Sequence, residues 1–597
     1  MEFEYGRSSS LLDKKYKEFF MPTVLTAMAT SASIIVDGII VGNLLGSAAL
    51  AAVNLSLPVV MVYNIFAVLF GMGAATVISV AKGRRENKLA DEVFTVSFAA
   101  MIVLGLSLLL IQSGLIDQIA LSITDDRLLF PLVRDYLSIL IYASPLLVIV
   151  PGMVYELRTD GKVKLASLVL IGANAVNLIL DIVYIKIFDM GIKGASLATL
   201  CGYAVGFLLF LIYFSAQDRT LKFDWAILKK PFDFMERVGK IVMTGMPSAL
   251  SSSLMPFKIF FINLIVLSTA GKTGMAVFSV CISCLSLISM FISGAAQTMS
   301  PIVGTLYGEK DYRGIGFVVK RAFKILLGAN VIVVGFLEIS PGIALGLFGV
   351  TDPGEVAIGV QALRIFAVSL LGTSITFLLL YYYMTVGRRK IANLISVLQG
   401  FVVVIPFAWL LSKLWGINGV WAAFILAEAV TLATVFVYYL AVKRKSKQKI
   451  SNMLLLEEDQ DSECRSYDLS IKNRLEDAVG LSEKTIDFLQ SSGLAGKSCN
   501  RVGIAIEEMV ANTIRYGYKK EKENTIDIKI KVLADEIIIS LRDDGDYFDP
   551  IKYHDTLKET GNEQTRLGGI SMVYALAETV EYNRVLGLNN TRIVIKI

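Results

Sequence analysis

Two stretches of this 597-residue sequence place side chains that can handle protons or cations inside otherwise apolar surroundings. Asp37 lies in Ser33-Ile34-Ile35-Val36-Asp37-Gly38, and Asp181 closes Asn174-Ala175-Val176-Asn177-Leu178-Ile179-Leu180-Asp181. On a helix the i, i+4 spacing sets Asn177 over Asp181 on one face, with Asn174 one turn further. A carboxylate flanked by amides in a dry cavity can carry a proton and also suits Na⁺. Such a cluster can couple an ion gradient to another process. Acidic groups at membrane depth are costly and are functional hypotheses by default; the alternative is hydrogen bonding between helices. Lys258, Gln297 and Glu428 also interrupt apolar runs. Snorkelling or helix pairing accounts for them as well as ligand contact does, and no site is predicted from them.

A second set of residues lies near the C-terminus. Glu507-Glu508-Met509-Val510-Ala511-Asn512 falls on a helical pattern that puts Glu508 and Asn512 one turn apart. Asp543-Asp544-Gly545 ends a strand-like run, and Arg566-Leu567-Gly568-Gly569-Ile570 opens a helix. Singly these are a solvated helix face and a turn, but their order and spacing are specific. A carboxyamide can hold Mg²⁺, an adjacent carboxylate can activate a hydroxyl, and glycines at a helix N-terminus let phosphates approach backbone N–H groups. Cys281 and Cys284 form a C-x-x-C in an apolar run, with no second ligand pair and the single histidine, His554, far away in sequence. Neither a zinc site nor a disulfide framework is expected.

The elements that must position these groups follow from composition. Hydrophobic residues make up 55% and charged ones 18%, with mean hydropathy +0.63, well beyond a soluble globular chain. The excess ends near residue 442. Runs of spanning length occur at 19–44, 53–81, 93–116, 130–155, 163–188, 191–215, 237–267, 275–303, 316–339, 357–383, 389–414 and 417–442, each near the ~20 apolar residues that a bilayer core requires. The first follows Lys14, Lys15 and Lys17 and reads as a retained span, since it is long for a signal peptide. Alternate loops are basic, as in Lys82, Arg84, Arg85 and Lys88 or Arg388, Arg389 and Lys390. The positive-inside rule then puts both termini in the cytoplasm and requires an even number of spans. The net charge of +5 is explained by these loops, and no nucleic-acid partner is expected.

The two halves repeat. Met21-Pro22 returns as Met246-Pro247, Gly83 as Gly308, Thr159-Asp160-Gly161 as Thr385-Val386-Gly387, and Gly191-Ile192-Lys193-Gly194 as Gly416-Ile417-Asn418-Gly419, at offsets of 225 or 226. Six spans per half make the repeat parallel, an arrangement that places a substrate site between halves. Asp37, Asn177 and Asp181 map onto Ile262, Val402 and Pro406, so the fold does not itself require the acidic cluster.

These residues, with the Pro-Thr opening span one, Asn-x-x-x-Asp in span five and Gly-x-x-Gly opening span six, resemble the multidrug and toxic compound extrusion (MATE) transporters over about 11–443. The resemblance implies a polytopic α-helical protein of twelve helices in two six-helix lobes, 1–220 and 221–443, in the cell membrane. It also implies efflux of organic cations or drugs in exchange for H⁺ or Na⁺. The family's N-lobe cation site falls here on Asp37, Asn177, Asp181 and Thr199. Some members carry acidic C-lobe residues in spans seven and ten, where this chain has Lys258 in span seven; that departure favours N-lobe coupling.

Lys443-Arg444-Lys445-Ser446-Lys447-Gln448-Lys449 reads as a positive-inside stop or a lipid headgroup contact. It opens a linker, 444–465, that turns acidic at Glu457-Glu458-Asp459-Gln460-Asp461. Residues 466–597 show helical periodicity over Leu475–Leu489 and Val502–Tyr516, and strand alternation over Thr525–Val532 and Glu536–Arg542. This small α/β domain resembles Bergerat-type ATPases, the anti-sigma serine kinases above all. By that resemblance Glu508 is the base, Asn512 the Mg²⁺ ligand, Asp543 the adenine contact, and Gly545, Gly568 and Gly569 lie against ATP. Two departures stand out: the Gly-x-Gly is shifted to Leu567-Gly568-Gly569, and Tyr516 replaces a common His. A regulatory protein partner is implied. Two further readings stay open, a membrane-anchored regulatory kinase with a sensing membrane part and a lipid-linked precursor flippase on the same superfamily fold.

Overall fold

No water pairs with the backbone inside a bilayer, so every apolar run has to close its own hydrogen bonds as a helix. The computed structural model describes residues 8–216, 219–347, 350, 352–445, 453–456, 465–518, 523–559 and 568–597. Among these, eleven helices are long and apolar enough to cross a membrane. The longest, Pro231–Gly308, leaves helical space at Gly271 (φ 59°, ψ −146°) and is therefore two spans in one run, 231–270 and 272–308. Twelve spans result. The first six are Ser10–Leu45, Ser47–Gly83, Asn87–Gly114, Leu129–Thr159, Val163–Ile187 and Ile192–Ser215. Spans 9 to 12 are Tyr312–Ile339, Pro353–Thr385, Arg389–Trp415 and Ile417–Lys445. Span 1 begins at Ser10, nine residues before its apolar run, because lysine and glutamate continue a helix as readily as leucine does.

The repeat is visible in the backbone. Gly46 and Gly271, Arg85 and Lys310, and Gly191 and Gly416 take positive φ in pairs 225 residues apart. The halves meet along a two-fold axis: a Cβ on Gly83 would lie 3.0 Å from the Gly308 Cα, and one on Gly304 would lie 2.9 Å from the Ser79 Cβ. Ser79 and Gly304, like Gly83 and Gly308, are repeat counterparts. A residue that touches its own counterpart lies at a two-fold axis, which here runs between spans 2 and 8. Small residues at this crossing allow the close backbone approach that membrane helices use in place of a hydrophobic driving force.

A separate compact unit holds Leu455–Ile597 with the N-terminal residues up to Lys17. Its antiparallel sheet comprises β1 (Arg465–Lys472), β2 (Thr525–Val532), β3 (Glu536–Asp543), β4 (Thr579–Val585) and β5 (Leu588–Lys596), in the order β1-β2-β3-β5-β4. Alternate residues of β2 and β3, from Ile526 to Leu541, pack on Val502, Ile506 and Met509 of the Gly496–Gly517 helix. The two predicted strands are present. β1 escapes sequence reading because charges interrupt its alternation, and the β4–β5 hairpin because Leu586 and Gly587, both at positive φ, stand where an Asn-Gly turn would signal one. Within this unit Ser10 Oγ donates to Thr525 Oγ1 at 2.9 Å, and Lys14 Nζ reaches Asn524 Oδ1 at 2.8 Å and Asp544 Oδ2 at 2.5 Å. The acidic stretch 457–461, the basic residues after Lys445, and Arg566 and Leu567 lie outside the described residues.

Candidate functional site

The first half gathers all four predicted coupling residues. Asp181 is fully buried on span 5, and among the described residues no donor of the protein reaches either of its carboxylate oxygens. The Asp37 carboxylate, on span 1, is the charged neighbour that acts on it electrostatically. Two neighbouring carboxylates in a dry site are relieved of their mutual repulsion by a proton or a cation. Asn177 Nδ2 donates to Thr199 Oγ1 across spans 5 and 6 at 3.4 Å, and Asn174 Nδ2 to Thr30 Oγ1 on span 1 at 3.2 Å. Gly202 permits this closeness: a Cβ there would sit 2.9 Å from the Asn177 Cβ. Tyr136, buried on span 4, feels both carboxylates electrostatically. Sequence reading missed it, since one tyrosine on an apolar helix carries no spacing signal.

Gln297, set aside from sequence, turns out to bridge the halves. Its Oε1 accepts from Arg158 Nη1 at 2.5 Å, and its Nε2 donates to Ser293 Oγ at 2.7 Å. Lys258 and Glu428 line one cavity of the second half, with Gln399 between them. Cys281 and Cys284 are buried free thiols. No group of three or more His, Cys, Asp or Glu is placed to hold a metal among the described residues.

In the α/β unit Glu508 and Asn512 share the Gly496–Gly517 helix, and Gly568 opens the helix Gly568–Leu576. Gly569 is pressed onto Glu508: a Cβ there would lie 2.8 Å from the Glu508 Cδ. Asn512 is buried with its Nδ2 unpartnered, so the donor side of this amide is not tied to the protein. Asp543 ends β3 and accepts from Gly545 N at 2.9 Å and Asn589 Nδ2 at 2.8 Å. Burial pushes its carboxyl up to about 6, against the lowering effect of those two donors. Asn589 is the cross-strand partner of Asp543 and was not found from sequence, because β5 was not. Gly545 has no room for a side chain, since a Cβ would meet the Gly517 carbonyl oxygen at 2.6 Å. Tyr516 stacks on Phe548 and meets the Tyr553 ring at a tilt of 42°. An unpartnered buried amide, a carboxylate under a glycine and a cradle that a Cβ would fill are features a nucleotide with Mg²⁺ can use.

The MatE family model matches residues 22–183 and 247–410, more than half of the chain. The chain belongs to the MatE family. A model described as Histidine kinase-like ATPase domain matches residues 471–595 of this MatE chain. Similar curated proteins include Multidrug export protein MepA of Staphylococcus haemolyticus, 26% identical over 451 residues, covering 75% of this chain and 97% of that protein. The Staphylococcus aureus (strain MRSA252) protein of the same name is 26% identical over 438 residues, covering 73% and 95%. Among solved structures, an outward-facing multidrug resistance MATE family transporter of the MOP superfamily aligns with TM-score 0.67 at 23% identity, over 72% of this chain and 97% of that one. A MOP superfamily transporter from Pyrococcus furiosus aligns with TM-score 0.66 at 23% identity, over the same shares. These likenesses give the MatE chain its fold: a multi-pass membrane transporter with an ATPase-like domain after it.

Proposed function

We propose that this chain is a secondary exporter of organic cations and drug-like molecules, driven by H⁺ or Na⁺ entering at Asp37, Asn177, Asp181 and Thr199. The observation that carries the reading is Asp181, buried beside Asp37 with no donor of the protein on either oxygen. Structural hydrogen bonding would fill those oxygens; a site for a transiently bound ion leaves them free. The name of the Staphylococcus relatives, multidrug export protein, supports the substrate class. Lobes at 1–220 and 221–443, and the basic loops that put both termini in the cytoplasm, complete the picture. The test is gradient-driven uptake of ethidium into inverted vesicles, in separate H⁺ and Na⁺ gradients. Wild type should accumulate the dye in one of them and Asp181→Asn in neither. Equal uptake by both proteins would overturn the assignment.

The domain at 466–597 binds ATP with Mg²⁺ in this reading and regulates the chain or a protein partner. Asn512 would hold the metal, which when bound neutralises phosphate charge. Asp543 accepts from the adenine amino group, and Gly545, Gly568 and Gly569 keep side chains out of the nucleotide's way. Glu508, lying under Gly569, takes the proton of an attacking hydroxyl in this reading, which makes serine-kinase activity a second role. Phosphate transfer from labelled ATP to a partner, lost in Glu508→Gln with ATP binding retained, tests that role separately.

A further inference from the structure

Residues that periodicity left without a role meet in the second half. Lys258 on span 7, Gln399 on span 11 and Glu428 on span 12 line one cavity of about 120 Å³, walled by Phe366, Phe377 and Phe424. Glu428 is held by neutral donors: the Thr373 hydroxyl at 2.9 Å, the Thr376 hydroxyl at 2.6 Å and the Gln399 amide at 3.1 Å. Gly372 lets span 10 close on it, since a Cβ there would lie 2.6 Å from the Glu428 Cβ. Lys258 Nζ donates to the Gln399 carbonyl at 3.3 Å, and among the described residues it has no carboxylate oxygen within 4.0 Å. Glu428 nevertheless acts on it electrostatically. Opposite charges thus face one space without closing on each other.

The repeat gives this cluster a place. Lys258 lies one helical turn before Ile262, the counterpart of Asp37, and Gln399 one turn before Val402, the counterpart of Asn177. Glu428 lies one turn after Phe424, the counterpart of Thr199. Spans 7 and 11 run one way through the membrane and span 12 the other, so all three displacements point the same way. They move the cluster about 6 Å toward the side on which each half begins and ends. The second half therefore keeps a polar site on the same three helices as the first, shifted by one turn and rebuilt from two carboxylates into one cation and one anion.

We propose that this second-half cavity binds a small aromatic zwitterion, its carboxylate on Lys258, its protonated amine replacing a neutral donor on Glu428 and its ring among the three phenylalanines. At about 120 Å³ the cavity is a little smaller than the ~150 Å³ apolar cavity that holds benzene, so it limits the ligand to one ring and has to widen to seat it. This deepens the export reading by naming a cargo, and rests on it for the claim that the bound molecule is cargo.

The test uses the full chain in detergent and three probes that share one ring: phenylalanine, phenethylamine and 3-phenylpropionate. In titration calorimetry phenylalanine should bind at least tenfold more tightly than either singly charged analogue. Lys258→Gln should bring phenylalanine down to the level of phenethylamine and leave phenethylamine unchanged. Glu428→Gln should bring it down to 3-phenylpropionate, and Lys258→Arg, which keeps the charge, should preserve the order. Phenylalanine binding no tighter than its analogues in wild type overturns the proposal without any variant, as does unchanged charge selectivity in both Gln variants. Uptake of labelled phenylalanine into vesicles, with Asp181→Asn alongside, separates the two readings. Selective binding without uptake in wild type, where ethidium is still accumulated, leaves the site standing and removes the claim that the bound molecule is cargo; ethidium uptake without charge-selective binding leaves the export reading standing and removes the site.

Discussion

Asp181 and Asp543 are both buried carboxylates, yet their surroundings give them different work. Asp543 is satisfied by Gly545 N and Asn589 Nδ2 and so is fixed in direction; Asp181 has no donor and is open to an ion. For Asp181→Asn the expected outcome is loss of gradient-driven uptake to background, with thermal melting in detergent and ATP binding like wild type. For Asp543 the expectation is a pH profile. Its carboxyl keeps a proton up to about 6 in the folded domain, and only the ionised form accepts fully from an adenine amino group. ATP affinity, measured by equilibrium dialysis, should fall about tenfold per pH unit below that value, and Asp543→Ala should bind weakly at every pH. The same shift acts on stability. Between the ordinary 3.8 and about 6 the folded domain binds more protons than the unfolded chain, so this group favours folding at low pH and loses that effect as pH rises through the window.

At the scale of the element, spacing along one helix was readable and contact between helices was not. Asn174, Asn177 and Asp181 were assigned to one face from the i, i+4 rule. Asp37 was recognised only as an acid at depth, and its approach to Asp181 is set by how spans 1 and 5 cross. Gly202 fixes the crossing of spans 5 and 6, because a side chain there would enter the Ala173 and Asn177 backbone. Replacing Gly202 with Leu should destabilise the protein by ~1–3 kcal/mol through overpacking, seen as a lower melting temperature, and should displace Asn177 enough to impair uptake. In the α/β unit Lys14 pairs with Asp544, the neighbour of Asp543. Lys14→Ala is expected to change ATP affinity with the sheet intact by circular dichroism, and unchanged affinity would show the pair to be incidental.

For the whole molecule, symmetry makes a prediction that no single residue does. Gly83 and Gly308 face each other across the two-fold axis, so Gly83→Val and Gly308→Val should lower the melting temperature by similar amounts. A large inequality would argue against the axis. The bridge from Arg158 to Gln297 joins the halves on one side of it. Gln297→Ala leaves the nearly buried guanidinium short of a partner and should cost ~1.5–3 kcal/mol, the range for hydrogen bonds to charged groups, read as a lower melting temperature.

By itself the sequence determined the number of spans, the repeat, the order of the two parts and the residue types able to carry an ion or a nucleotide. Those properties are local: run length, a constant offset and side-chain chemistry along one chain. Tertiary structure decided which of them meet. Lys258, Gln399 and Glu428 are spread over 170 residues and become one cavity only because spans 7, 11 and 12 converge. Asn589 reaches Asp543 only through the pairing of β3 with β5. Contacts between distant helices and strands depend on packing angles and register, which no periodicity within a single element records.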